Sequence, residues 1–542
     1  MAVTVSGGST LDICDREAPV IIAGGGLVGL SAAIFLGQCG IESLVLERRV
    51  APSLLPRAAH FHLRTVELFR QAGIEKEVIA QSEEEFLPDG AIVAMETLTG
   101  RKLADIIASL NEGVEALSPC RRLFVSQPRL EPILRRRAKE AGAQILSGHD
   151  VIDVRQGAFG VQVITQDAAS GRRRSFDARY LIGADGAHSK VREIAGLQLS
   201  GRPAFSNSMT IYFEADLSSV VENKALSVIY IANAGLRGIF RFDKHFRSGF
   251  LIVNIVGDPE ADPDASNPAN DTSEHRLVEL VRLAAGVPDL AVRIAGVSRW
   301  RAAAKVADHY RCGNIFLSGD AAHLMPPTGG FGGNTGIQDA HNLAWKLATV
   351  IKGQAHDGLL DSYGAERQPI GLLTAEQAYV RYVLRTAPHL AEADAPQLVP
   401  DFNLELGYLY GADPISSHQD IPPHEDPHHS KGRPGARAPH VWLRRASKRI
   451  STLDLYGRRF VLMTGPEGEG WHVATCEGPP IERLCLERDV DDPHRRFAAA
   501  HGITGAGAVL VRPDGFVCWR ASLLSRDSAA SLRRSLSHVV AP

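Results

Sequence analysis

The stretch from Val20 to Arg48, VIIAGGGLVGLSAAIFLGQCGIESLVLER, constrains the fold more than any other part of the chain. An apolar run leads into three consecutive glycines, a helix-forming apolar segment follows, and a second strand, SLVLE, ends on an acid. Gly24-x-Gly26-x-x-Gly29 therefore stands between a strand and a helix, the context in which this pattern signals a dinucleotide-binding β-α-β unit. Gly24 allows the tight turn, and Gly26 lets the backbone approach a pyrophosphate. Gly29 lets the helix pack close to the sheet, and the helix N-terminus at Leu27 and Val28 offers N–H donors to the anion. Glu47, 18 residues after Gly29, ends the second strand, where a carboxylate can hold both hydroxyls of an adenosine ribose. FAD and NAD both carry ADP, so this segment alone leaves the two open.

At 542 residues the chain exceeds what one hydrophobic core usually supports, and two or three domains are expected. A formal charge of -3 with 22% charged residues gives no electrostatic footprint for nucleic acid or an anionic membrane, so small molecules are the expected partners. The uncharged run from Ala18 to Gly40 reads as a buried strand-turn-helix rather than a membrane span. The lead before it has no Lys or Arg ahead of Arg16 and no signal-peptide pattern, so a cytoplasmic location is expected. Seven scattered cysteines without CxxC spacing argue against a disulfide framework or a zinc site, and no metal is expected.

Periodicity predicts helices over Leu63 to Gly73 and Gln127 to Ala141, and strands in AQILSG and YLIGADG. Between Arg202 and Trp300 short alternating stretches such as MTIYFEAD and LSVIYIAN predict an antiparallel sheet. Strand, glycine-rich loop and long helix then return, with the helix expected from Ile337 to a cap at Gly353. The expected fold class is α/β. A nucleotide-binding domain (1–200 and 301–400) is interrupted by a sheet domain (201–300) that draws in part of 85–118. A Pro-, Gly-, Ser- and His-rich linker follows at 411–432, and a last α/β unit at 433–542 has a hairpin turning at Asp514-Gly515.

Two later motifs bear on the nucleotide: YLIGADGAHSKVR at Tyr180 to Arg192, and NIFLSGDAAHLMPPTGGFGGNTGIQDAHNLAWKLA at Asn314 to Ala348. With the opening glycines they resemble the three fingerprints of the class A flavoprotein aromatic hydroxylases, in the phenol- and polyketide-hydroxylase branch with the p-hydroxybenzoate hydroxylase fold. A second nucleotide motif 296 residues beyond the first (320 - 24) suits FAD, which is long enough to need a hold at each end. The carboxylate of Asp320 is placed to hold a ribityl hydroxyl. Five glycines between Pro326 and Gly336 leave backbone amides near an isoalloxazine ring, where the helix that follows stabilises negative charge on the reduced flavin, with Asn334 and Thr335 as donors. The resemblance further implies that Asp185 and Gly186 serve both FAD and the pyridine nucleotide, that Arg57 and Gln127 line the flavin path, and that Arg48 contacts the adenosine end. It adds Val151, Pro327, Gly330, Gly332 and Gly333 to the cofactor set.

The implied function is an FAD-dependent monooxygenase using NADPH or NADH and O2 to hydroxylate a phenolic or polyketide aromatic through a flavin C4a-hydroperoxide. The base that activates the phenol is not identified, Arg57, His60 and His62 being the candidates. Tyr212, Tyr230 and Phe240 of the sheet are candidate substrate liners. The C-terminal unit resembles the thioredoxin-like domain of the same branch, but Cys476 and Cys485 are nine apart, so redox exchange is not expected and a scaffold or homodimer contact is. His418, His424, His428 and His429 read as a mobile polar linker rather than a metal site. The alternatives are Baeyer–Villiger oxygenation on the same scaffold and a non-catalytic flavin-binding assembly partner. A flavin halogenase would carry Trp-x-Trp-x-Ile-Pro, whereas Trp300 is followed by RAAAK.

Overall fold

In the computed structural model, residues 16–51, 60–221, 225–258, 261–262, 267–393, 396–411, 423–473, 478–523 and 528–540 are described. Arg57, His418, Cys14 and Cys476 lie outside them. The first sheet runs, in spatial order, through Arg311–Cys312, Ile315–Leu317, Arg173–Gly183, Arg16–Ala23, Ser43–Glu47 and Gln144–Ser147. The strands from Ile315–Leu317 onward in that order are parallel, and a meander of His149–Gly157 and Gly160–Asp167 pairs antiparallel onto Arg173–Gly183. Helix Leu27–Gln38 is apolar on every side, and Leu30 through Leu36 are buried. A helix of that texture needs cover all round. The sheet and helices Gln127–Glu140 and Phe331–Ile351 provide it.

The second sheet has eight strands, in order His323–Leu324, Arg293–Ala307, Leu199–Glu214, Ser248–Val256, Leu236–Phe242, Leu226–Ala232, Ala91–Met95 and Lys102–Ile107. It is wider than the alternating stretches between 202 and 300 suggest, because the hairpin Ala91–Met95/Lys102–Ile107 adds to one edge. It is not wholly antiparallel either, since Leu226–Ala232 runs parallel to Ala91–Met95. Period-2 alternation divides its side chains between two layers. Met209, Ile211, Phe213, Ile229, Ile231, Phe240, Leu251 and Val253 pack under helix Glu274–Ala285, while Tyr230, Ile239 and Ile252 face the other way, toward Phe124 and Ile92.

The long helix starts at Phe331, six residues before the first residue of its apolar repeat, so Gly332 and Gly333 form its first turn rather than a loop. Repeat counting misses that turn because glycine has no side chain to count. Over 402–411 and 423–435 the chain is anchored: Leu409 N–H donates to Pro423 O (3.0 Å), Glu425 N–H donates to Gly407 O (2.8 Å), and His428 and His429 both engage Asp426. The linker read at 411–432 is thus pinned over its described half.

The C-terminal unit is a four-stranded sheet ordered Ile481–Cys485, Phe460–Thr464, Ala508–Val511, Val517–Ala521, with helix Ser528–Val540 against its last strand. It joins the rest through two buried ionic hubs. Glu67, 1% exposed, accepts from Arg64 (3.0 Å), Arg437 (3.0 Å) and Ser118 (2.7 Å). Glu366 accepts from Arg512 (2.5 Å) and Lys346 (2.8 Å), and Arg512 also pairs with Asp514. The neighbouring cations hold both glutamates below the ordinary carboxylate range against burial, and burial lowers Lys346 to about 8.

Candidate functional site

Four parallel strands of the first sheet end side by side, and their following turns are stitched together. Gly24 N–H donates to Leu46 O (2.8 Å), Ala184 N–H to Ala23 O (2.8 Å), and Ser318 N–H to Gly183 O (2.9 Å). Ligands of parallel α/β sheets bind at these carboxyl ends. Gly24 has φ +104°, and a Cβ there would overlap the Ala184 carbonyl. A Cβ on Gly29 would overlap the Gly24 carbonyl oxygen, so Gly29 serves helix-on-turn packing and does not line the cleft. Gly26 differs: its Cβ would meet no protein atom within 4 Å. The Glu47 carboxylate bounds the same space, accepting from the N–H groups of Gly25 (2.6 Å) and Arg49 (2.8 Å).

From this end a cavity of about 830 Å³ runs past Asp185 and Asp320 to the second sheet. That volume lies in the upper range of small-molecule sites. Leu27, Val28, Glu47 and Arg48 line one end; Gln127, Val151, Asp185 and Gly186 line its side; Asp320, Pro327, Gly330, Gly332, Gly333 and Asn334 line the middle. Asp185 also holds its own turn, accepting from Ser189 Oγ (2.5 Å) and Val191 N–H (3.1 Å). Arg192 reaches from that turn to Ala321 O (2.8 Å), tying the second motif to the third. Beneath Asp320 lies fully buried Asp339, which pairs with Arg367 (2.8 Å) and His323 (2.8 Å) and accepts from Gly319 N–H (3.2 Å). Arg367 and His323 hold its carboxyl low although burial opposes them.

Gly330 caps helix Phe331–Ile351, so the N–H groups of Phe331, Gly332 and Gly333 have no acceptor within the helix, and the positive end of its dipole points into the cavity. A Cβ on Gly332 would come no closer than 3.8 Å to any protein atom, the nearest being Asp320 Oδ1. Two donors named from sequence fall differently. The Asn334 side chain is engaged within the protein, accepting from His62 N–H (2.9 Å) and donating to the carbonyls of His60 (2.9 Å) and Gly330 (2.7 Å). Thr335 does not line the cavity; its hydroxyl turns to Thr374 (3.4 Å) on the next helix.

Asn334 thereby bolts the two-residue strand His60–Phe61 to the helix start, and that strand pairs with Leu123–Phe124. His62 Nε2 meets Gly329 O (2.8 Å), while His60 Nε2 is buried without a partner. Burial lowers both imidazoles, His60 strongly, helped by the positive charges of Arg122, Arg241 and Arg385. Both rings are thus neutral near pH 7, and His60 is a weak base.

The far wall is the second sheet, where Tyr212 opposes Phe250 across the strands and Phe250 opposes Arg241, with Thr210, Ile252, Ile239 and Tyr230 forming the adjacent row. Tyr212 and Tyr230 therefore line the cavity. Phe240 does not: it is fully buried in the opposite layer, with Phe213 and Phe242 rings at 5.3 and 5.7 Å, because alternation gives that face to Ile239 and Arg241. The sequence motifs also missed four arginines here. Arg122 pairs with Glu405 (2.8 Å) and Arg381 with Asp401 (2.5 Å); Arg385 donates to Tyr230 Oη (3.3 Å). Arg241 stands against the rings of Phe86 and Phe124. Their partners lie as far as 283 positions away along the chain, and no local pattern marks them.

Comparison with known proteins yields two family-model matches, one described as an FAD binding domain over residues 17–378 and one as the C-terminal part of aromatic-ring hydroxylases over residues 431–542. A 4-methyl-5-nitrocatechol 5-monooxygenase of a Burkholderia species is 46% identical, over 97% of this chain and 98% of its own. An aklavinone 12-hydroxylase of Streptomyces purpurascens is 36% identical, over 97% and 99%. Among solved structures, an aklavinone-11 hydroxylase in ternary complex with FAD and aklavinone superimposes with a TM-score of 0.90 at 34% identity, covering 97% of this chain and 100% of that one.

Proposed function

Because the chain belongs to the FAD-dependent aromatic-ring hydroxylases, we propose that it hydroxylates a substituted phenol or catechol of one ring, held against the second sheet. The observation that carries this reading is one cavity that joins the Gly26 cradle to the aromatic sheet face and has about 830 Å³ for cofactor and substrate together. The name of the 46%-identical Burkholderia enzyme, a nitrocatechol monooxygenase, supports a catechol of one ring.

The residues present fit a flavin dinucleotide. Open space beside Gly26 takes a pyrophosphate, Glu47 takes the adenosine ribose, Asp320 takes ribityl hydroxyls, and the free amides of Gly332 and Gly333 take the ring. Bound FAD supplies the redox chemistry, accepting electrons from a reduced nicotinamide and activating O2. The chain's own residues orient, exclude water and set charge. Dipole and amides at Gly332 and Gly333 favour negative charge on the ring edge they face. Ile239, Ile252 and Phe250 keep the substrate side dry. Arginines on the wall favour a phenol in its ionised form, and the weakness of His60 as a base makes that field the source of phenol activation.

The test is NAD(P)H consumption and product mass with a panel of phenols and catechols under labelled O2. Substrate-stimulated consumption with one labelled oxygen in the product supports the proposal. Consumption that ignores substrate and yields only peroxide, or turnover confined to multi-ring aromatics, overturns it.

A further inference from the structure

Not every guanidinium at the substrate end is hydrogen-bonded to a carboxylate. Arg122 and Arg381 are each answered by a carboxylate, Glu405 and Asp401. Arg241 is 4% exposed, lines the cavity, and has no hydrogen-bond partner at Nε or Nη2. Its nearest neighbours are two ring faces, Phe86 at 4.0 Å and Phe124 at 4.2 Å to the centroids. Rings attract a cation but leave the in-plane N–H groups of a guanidinium unsatisfied. Arg385, half-buried at the same wall, has a phenol, Tyr230, as its partner. Buried guanidinium N–H groups without an acceptor are costly unless something arrives to accept from them.

We propose that Arg241 is the specificity residue of the hydroxylase, receiving a planar two-oxygen substituent of the aromatic substrate, a nitro or carboxylate group. The proposal rests on the aromatic-hydroxylase reading above. A guanidinium presents a rigid planar fork of donors that matches two coplanar oxygens, which a lone hydroxyl does not. Strand register places Arg241 beside Phe250, which is followed by Tyr212, so a ring lying on these aromatics brings a substituent to the guanidinium. Burial lowers Arg241 only to about 9, so the residue stays cationic at neutral pH, with the Glu85 charge opposing the shift.

The test is isothermal titration of the FAD-loaded protein with 4-nitrocatechol, 3,4-dihydroxybenzoate and 4-methylcatechol, in the native protein and in Arg241→Met and Arg241→Lys. In the native protein at least one of the first two should bind about tenfold or more tighter than 4-methylcatechol. Arg241→Met should weaken that ligand by about 10- to 100-fold, the worth of a charge-assisted hydrogen bond, and 4-methylcatechol by about threefold at most, through the loss of positive charge at the wall. Arg241→Lys should restore part of the carboxylate's affinity and little of the nitro group's, and whichever ligand responds identifies the substituent. Equal losses for all three ligands at unchanged flavin content and melting temperature, or no native preference over 4-methylcatechol, overturn the assignment. Binding is read without turnover. Tight, Arg241-dependent binding with no substrate-stimulated NAD(P)H oxidation would therefore leave this assignment standing and sink the hydroxylase reading instead.

Discussion

Two alanine substitutions three residues apart should act in opposite directions on the FAD-free protein. Gly26 has φ -83° and ψ -168°, ordinary extended backbone, and its added Cβ meets no protein atom within 4 Å. Gly26→Ala should therefore stabilise the FAD-free chain by about 0.4–1 kcal/mol, by reducing the freedom of the unfolded state. The same methyl stands where a pyrophosphate must touch the backbone, and losing one charge-assisted hydrogen bond costs about 1.5–3 kcal/mol, roughly 10- to 100-fold in FAD affinity. Gly29→Ala puts its methyl onto the Gly24 carbonyl oxygen and 3.2 Å from Ile22 Cγ2. Overpacking of that kind costs about 1–3 kcal/mol, and FAD-free melting should fall by about 2 °C or less per kcal/mol in a chain of this length. Melting of flavin-stripped protein and FAD titration by flavin fluorescence separate the effects. A Gly26→Ala protein that binds FAD as tightly as the native chain would refute the cradle, and a Gly29→Ala protein that melts normally would refute the packing argument.

Asp339→Ala leaves Arg367 buried without its carboxylate and frees His323, so denaturant unfolding should show a loss of about 3–5 kcal/mol; a loss under 1 kcal/mol counts against the pairing. His341, lowered to about 3 by burial, is neutral when folded and on unfolding regains the ordinary histidine value near 6.5. Its folded pKa being the lower one, His341 should make stability fall as pH falls, contributing about 2 kcal/mol of the loss between pH 7 and 5; a His341→Leu variant should show a slope shallower by that amount, and an unchanged slope refutes it. Phe240→Leu should lower stability by about 1 kcal/mol and leave substrate KM unchanged, whereas Ile239→Ala should raise KM, since only Ile239 faces the cavity; the reverse pattern would invert the layer assignment. Asp320→Ala should release FAD on dilution while leaving helix content intact; full flavin occupancy would remove the ribityl contact.

The cofactor half of the site was legible because its signals are local: glycines at fixed spacing, an acid at a strand end, a strand running into a glycine-dense helix start. Even there a residue type did not reveal its duty. Gly29 and Thr335 pack inward, and the Asn334 amide is engaged by neighbouring backbone. The substrate half was less legible because it depends on which of two layers each strand residue faces, and bulges shift that parity, as between Arg237 and Gly238. Tyr212 and Tyr230 fell on the cavity side while Phe240 did not, and the arginines of the wall are marked only by partners distant in sequence.

The two hubs built on Glu67 and Glu366 bear on engineering within this group of enzymes. Swapping the last hundred or so residues for those of a relative would leave Glu67 with Arg64 and Glu366 with Lys346 as their remaining cations unless the incoming segment carried cations matching Arg437 and Arg512. A chimera respecting only the helix and strand boundaries would weaken the seam between the two parts, so any splice should match Arg64, Glu67, Lys346 and Glu366 as a set.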